Sequence, residues 1–270
     1  MKSKTYIIAW DGAIKNCIYI SQQLSYSKIN HKFFNVSASP ELTENWERKE
    51  DVRYYRHFFN AVNEFLDTDL DVFIFNAGDG RCDYYAKYTK YIEQVFSENP
   101  NLVAFAPNST NDDWSGARSK IRDSSKYTNH YLTTCTNGIY FAISREMCVV
   151  LKDFYRWSSI ESKKIEAEKM FSGWGIDLII SAYAIYNNKY CYRDRGLLLL
   201  HPPSSNYSVE AAAKEVRMTY LAFSNYVSEV LGYDYDIFAS IYSKIGNLFL
   251  QPNSLKIEDF YSNPQEVENA

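Results

Sequence analysis

The stretch DVFIFNAGDGRCDYY, residues 71–85, decides how this chain is to be read. Val72 to Phe75 form a short continuous apolar run, the pattern of a strand buried on both faces. The run stops at Asn76 and gives way to Ala77-Gly78-Asp79-Gly80, with Asp83 close behind. Asn, Gly and Asp all suit tight turns, so a plain strand-end turn is the simplest reading. The other reading is a phosphate and metal site, because open α/β sheets collect ligands outside the carboxyl ends of their strands. The choice rests on what else the chain brings to that edge.

Working outward, TYIIAW (5–10) reads as a buried strand, and DGAIKNCIYISQQLSYS after it takes helical spacing through Ile14, Ile18 and Leu24. HKFFNVSAS (31–39) reads as a second strand. Residues 52–66 place Tyr55, Phe58, Phe59, Val62, Phe65 and Leu66 on one helix face. After the opening stretch come a helix (YYAKYTKYIEQVFSE) and a strand (LVAFAP). This alternation predicts an α/β fold: a Rossmann-type, mainly parallel sheet flanked by helices. Residues 108–135 are polar and predict a long loop over one edge.

The rhythm then resumes. GIYFAIS (138–144) is a strand, REMCVVLKDFYRW a helix, GWGIDLIISAYAIYNN a glycine-bracketed turn and helix, and KYCYRDRGLLLLHPP one or two strands ending at His201. Residues 209–231 and 235–250 are helical, and the stretch after Asn253 is expected to fray. The chain divides into a domain over residues 1–205 and a C-terminal helical extension and tail over 206–270. Helix 235–250 carries a stripe of Ile237, Phe238, Ile241, Tyr242, Ile245, Leu248 and Phe249. Packing on its own domain or a homodimer contact is the expectation. With Lys244 as its one basic residue, the helix has little electrostatic help at a membrane.

Composition narrows the classes. A net charge of −4 gives no basic field for nucleic acid. The 24 tyrosines and 16 phenylalanines suit flat or ring-shaped ligands, or simply the core. Five cysteines without CxxC spacing read as reduced thiols of a cytosolic protein. The apolar run at the N-terminus is too short for a signal peptide, and no run reaches membrane-spanning length. The expected location is the cytoplasm, with peripheral association at the inner face of the membrane left open.

Three strand ends carry distinctive groups: AWDG, FNAGDG and LLLLHP. A divalent cation on a diphosphate needs hard oxygen ligands and also accepts an imidazole. Asp79, with Asn76 or Asp83 nearby, could supply oxygen, and His201 could close the site from a distant strand. Each residue alone reads as structural; their order in the chain favours a site. FSGWGIDL adds Trp174 between two glycines, able to pack on a sugar face, and Asp177 at a helix start. An Asp there can cap the helix or act as a general base on an attacking hydroxyl. In the loop NDDWSGARSK, Asp112, Asp113 and Trp114 could hydrogen-bond and stack on an acceptor sugar.

These segments in this order resemble the GT-A-fold nucleotide-sugar glycosyltransferases of bacterial surface-glycan synthesis, over roughly residues 5–205. The resemblance implies transfer of a sugar from a nucleotide-diphosphate donor, a UDP-sugar by preference, to a glycan or lipid-linked acceptor, with inversion. It implies that Trp10 and Asp11 contact the base or ribose, that Arg53 and Asn76 lie near the nucleotide, and that Asp79 and His201 bind Mn²⁺ or Mg²⁺. Asn137 and Gly138 would border the donor sugar together with Trp174 and Gly175, and Asp177 would be the base. The motif departs from an acid–x–acid pattern, reading Asn76-Ala77-Gly78-Asp79. Without a metal, Arg81, Arg193 or Arg195 would have to offset the leaving diphosphate's charge. Two rivals stand beside this reading: a nucleotidyltransferase, for which WDGAIKN lacks the glycine-rich basic loop, and a catalytically silent nucleotide- or sugar-binding scaffold.

Overall fold

The computed structural model describes residues 1–50, 54–110, 117–136, 138–160, 175–201, 209–263 and 267. Its centre is a nine-stranded sheet: β1 (Ser3–Ala9), β2 (His31–Asn35), β3 (Trp46–Arg48), β4 (Val72–Asn76), β5 (Leu102–Ser109), β6 (Lys120–Asp123), β7 (His130–Thr133), β8 (Tyr140–Ser144) and β9 (Tyr190–Leu199). The spatial order is β3-β2-β1-β4-β8-β5-β9-β7-β6. The first four strands are parallel, as expected. Beyond β4 the sheet is mixed: β8 runs antiparallel between β4 and β5, β9 is parallel to β5, and β7 and β6 are antiparallel additions.

The strand of the opening stretch is buried at all five positions, because helices cover both of its faces. Phe73 and Phe75 meet Phe58 of α2 (Tyr54–Leu66), with ring centroids 5.8 and 5.1 Å apart. Asn76 points the other way, to Tyr85 at the start of α3 (Tyr85–Glu98). Helix α1 (Ile14–Tyr26) packs beside α3, while α4 (Arg145–Ile160) packs beside α2 and stacks Tyr155 on Phe59 at 4.5 Å.

Residues 108–135 are not one long loop. His130–Thr133 is fully buried between β9 and β6, and Lys120–Asp123 forms the sheet's edge. An edge strand half open to water can be polar, which is why the sequence pattern hid it. The tail is also more ordered than expected. Ile257, Phe260, Tyr261 and Val267 are buried, the first two in α8 (Ile257–Phe260).

The C-terminal helices cover α5 (Ile176–Tyr186). Helix α7 (Tyr235–Leu250) lies against α5 and α6 (Val209–Leu231), burying Phe238, Ile241, Ile245 and Leu248. Tyr242 stacks on Tyr220 with centroids 3.9 Å apart. Ile237 departs from the expected stripe: it is 56% exposed, and its backbone N–H is capped by Asp234. The side chains of Tyr55 and Phe249 lie outside the described residues. All five cysteines are free and buried. Among the described residues no helix is long and apolar enough to cross a membrane.

Candidate functional site at the carboxyl edge of the sheet

The chain leaves β1 for β2 on one side, and β4 lies on β1's other side. The carboxyl ends of β1 and β4 therefore flank a topological switch point, where a crevice opens in sheets of this kind. The NAGDG turn sits there. Asn76 is buried and holds the turn's shape: its Nδ2 donates to Gly80 O (3.1 Å) and Tyr85 Oη (3.2 Å), and its Oδ1 accepts from Gly78 N (2.8 Å). Both ends of the amide are engaged, so Asn76 shapes the turn rather than facing a nucleotide. Gly78 has φ +91°, and a Cβ on it would stand 2.0 Å from Ile8 O. Only glycine lets this turn lie against β1.

Backbone hydrogen bonds tie the turn to two other strand ends. Ala77 N donates to Ile139 O (2.8 Å), just before β8. Arg81 and Leu200 exchange both backbone bonds, at 2.9 and 2.7 Å. His201 follows directly, its N–H donating to Thr110 Oγ1 (2.9 Å), which donates to His201 O (3.1 Å). The result brings Asp79 Oδ2 to 3.4 Å from His201 Nε2. These two residues are 122 positions apart in sequence, and both side chains remain partly open to solvent. Asp79 Oδ1 is buried and has no hydrogen-bond partner among the described residues.

A carboxylate oxygen left bare beside an imidazole fits a divalent cation, which takes both ligand types. Among the described residues no group of three or more His, Cys, Asp and Glu side chains forms. A cation here would draw its remaining ligands from diphosphate oxygens and water. Burial pushes the nearby Cys17 thiol up to about 12, and the charge of Asp79 adds to the effect. Asp83 is exposed and accepts from Arg81 (3.0 Å) and Tyr19 Oη (3.2 Å), so it turns to the surface.

The alternative cations are placed differently from one another. Arg81 lies on the turn itself, 4.2 Å over the Tyr19 ring. Arg193 is fully buried and donates to Pro107 O, while Arg195 pairs with Asp123 and lies over Tyr131. Arg193 is thus closed to solvent, whereas Arg195 is exposed and engaged with Asp123 at the β6 edge of the sheet.

On the other side of the switch point, Trp10 is 40% exposed and donates from Nε1 to Ala77 O (3.1 Å). Its ring covers Gly12, where a Cβ would come within 2.0 Å of it. Asp11 Oδ1 accepts from Ala38 N (2.8 Å), linking the ends of β1 and β2. Arg53, Asp112, Asp113, Trp114, Asn137 and Trp174 lie outside the described residues. Gly138 borders the same edge, and a Cβ there would meet nothing within 4 Å.

Gly175 differs from the expectation. It is buried with φ +92°, and a Cβ would stand 3.3 Å from Val216 Cα, so its bareness accommodates α6 rather than a ligand. Asp177 sits in the first turn of α5, where the helix dipole favours a carboxylate. Its Oδ1 accepts from Leu178 N (3.0 Å), and its Oδ2 accepts from the Cys135 thiol at 2.7 Å. Cys135 was not expected here, and a lone cysteine in TTCTNG carries no sequence signal for it. It lies four positions before Ile139, which bonds the NAGDG turn, so their Cα atoms are within about 14 Å of each other.

No family model matches the sequence, and no curated protein matches it either. Solved structures do share the fold. A GalNAc-T7 structure with UDP, GalNAc and Mn²⁺ superposes with a TM-score of 0.53 at 12% identity, covering 95% of this chain and 56% of that one. The chain thus spans about half that protein's length. A mannosyltransferase from Pyrobaculum calidifontis, in complex with GDP-Man and Mn²⁺, gives 0.51 at 8% identity, covering 93% and 70%. A UDP-glucose pyrophosphorylase with UDP-glucose is more loosely similar, at 0.44 and 9% identity over 82% and 99%. The nine-stranded α/β sheet with its flanking and C-terminal helices is a GT-A-type fold.

Proposed function

We propose that the protein is a glycosyltransferase that moves a sugar from a nucleotide-diphosphate donor, a UDP-sugar by preference, to a glycan or lipid-linked hydroxyl. One observation carries the reading: Asp79 and His201 meet at the switch point, 3.4 Å apart, with a bare carboxylate oxygen between strand ends. Two solved proteins of the same fold hold Mn²⁺ with UDP or GDP-Man, which supports a metal-dependent donor site.

In this reading Asp79 and His201 would hold Mn²⁺ or Mg²⁺, which supplies charge neutralisation to the leaving diphosphate. Trp10 and Asp11 line the base side of the crevice, and Gly138 leaves room for the donor sugar. Asp177 takes the proton of the acceptor hydroxyl. The hydroxyl oxygen then bonds to the anomeric carbon as the bond from that carbon to the diphosphate oxygen breaks. The nucleoside diphosphate departs with the electron pair, and attack opposite the leaving group inverts the anomeric centre.

Thermal shift with UDP, GDP, CMP and dTDP, each with Mn²⁺, Mg²⁺ or EDTA, tests the donor site, because a ligand of the native state raises its melting temperature. A metal-dependent shift for one nucleotide, absent in Asp79→Ala, is expected. Silence with every nucleotide would remove the reading's support. A parallel assay of UTP with sugar 1-phosphates separates transfer from nucleotidyl transfer: pyrophosphate release there would favour the latter.

A further inference from the structure

Cys135 stands out because it makes a contact that core packing does not require. The side chain is 3% exposed, and its thiol donates to Asp177 Oδ2 at 2.7 Å. The cysteine is itself held in place. Thr133 Oγ1 accepts from Cys135 N (3.1 Å) and donates to Cys135 O (2.9 Å). Ser119 Oγ lies 2.7 Å from the same hydroxyl, and Ser119 O accepts from Thr134 N (2.9 Å). The end of β7 thereby forms a rigid mount for one sulfur.

Asp177 meets that mount from a different element. Its Oδ1 is fixed by Leu178 N and its Oδ2 by the thiol, so both carboxylate torsions are set. We propose that Cys135 is the positioning residue of the catalytic base, aiming the Asp177 carboxylate across the gap between β7 and α5. The proposal rests on the glycosyl-transfer reading above. A thiol suits this task. It is a weak donor, so it orients the carboxylate without withdrawing as much of its basicity as a hydroxyl or an ammonium would.

The test is turnover of UDP-sugars, measured as UDP released when the sugar passes to water or to an added acceptor, in wild type, Asp177→Asn, Cys135→Ala and Cys135→Ser. Wild type must turn over and Asp177→Asn must not; no turnover in wild type defeats the glycosyl-transfer reading, and this proposal with it. Given wild-type turnover, Cys135→Ala is expected to lower kcat about tenfold or more while the donor KM stays within about twofold. Cys135→Ser keeps a donor at the same place and should recover most of the loss. Melting curves and circular dichroism confirm that each variant is folded. Equal kcat in Ala and Ser variants, or a loss carried by KM, would overturn the positioning role while leaving the transferase reading intact.

Discussion

Asp79 buries one oxygen that has no partner among the described residues and turns the other toward His201. An unsatisfied buried acceptor costs about 1–3 kcal/mol, and strain of this kind concentrates where a ligand relieves it. Asp79→Asn removes the charge while keeping the shape. It is expected to leave the ligand-free protein as stable as wild type, or to raise its melting temperature by about 2 °C, because roughly 1 kcal/mol moves a chain of this size by that amount. The metal-dependent nucleotide shift should vanish in the same variant. A drop of several degrees without ligand would mean that Asp79 has a structural task. Its neighbour Asn76 should behave in the opposite way. Asn76→Ala takes the acceptor from Gly78 N and one of the bonds at Gly80 O and Tyr85 Oη, which stay bonded to each other, so a loss of about 1–3 kcal/mol in urea unfolding is expected. If Asn76→Ala unfolds at the wild-type urea midpoint, the turn does not depend on that amide. Two residues three positions apart thus divide the motif: one builds the turn, the other keeps a buried oxygen that no described residue satisfies. Their sequence shows both as turn formers, and only the partner count separates them.

At the scale of elements, the strands with a continuous apolar run were legible, and the short or polar ones, β3, β6 and β7, were not. β4 reads directly, since all five of its residues are covered. β3 has three residues, and its burial rests on Trp46, which stacks on Phe33 at 4.5 Å and donates to Ser21 Oγ. Too short for a period to show, it is defined by partners far off in sequence. β6 was hidden by the polarity that an edge strand tolerates, and β7, although buried, by its four-residue length inside a polar stretch. The loop leading into β3 also carries a titration. His31, at the start of β2, has Nδ1 2.6 Å from Ile29 O and Nε2 3.4 Å from Asn45 Nδ2, an arrangement that suits the neutral ring. Burial lowers its pKa, and the charge of Lys4 acts in the same direction. A folded-state value below the unfolded one means that the unfolded chain binds more protons between the two. Stability from this site is therefore full above about pH 6.5 and is lost as pH falls through the folded value. His31→Gln lacks the titration. The wild type's advantage in melting temperature over this variant should shrink between pH 7.5 and pH 5.5. Parallel curves for the two proteins would rule the site out as a source of acid lability.

Across the whole molecule, the question is whether the C-terminal helices are an appendage or part of the core. In the sequence the strand pattern ends near residue 205, and periodicity alone does not say which face an amphipathic stripe covers. The packing answers differently from a detachable extension. α7 lies on α5, the helix that carries Asp177, and Val216 of α6 fits the space left by Gly175 at the start of α5. Tyr186 and Tyr233 stack at 4.2 Å, and Tyr220 Oη donates to Phe238 O at 2.6 Å. Removing residues 235–270 would strip Phe238, Ile241, Ile245 and Leu248 from the core. At roughly 1.5–3 kcal/mol for each such side chain, the loss is comparable with the whole stability of an ordinary domain, about 5–15 kcal/mol. The truncated chain is thus expected to lose cooperative thermal unfolding. Phe238→Ala is the graded version, expected to cost about 3–5 kcal/mol in urea denaturation while the full chain still folds. Because α5 is gripped from this side, the same variant should loosen the seat of Asp177 and lower turnover more than it weakens nucleotide binding at the Asp79–His201 pair, which lies on other elements. A truncation that melts cooperatively and turns over donor at the wild-type rate would show instead that the sheet and α5 stand without their C-terminal cover.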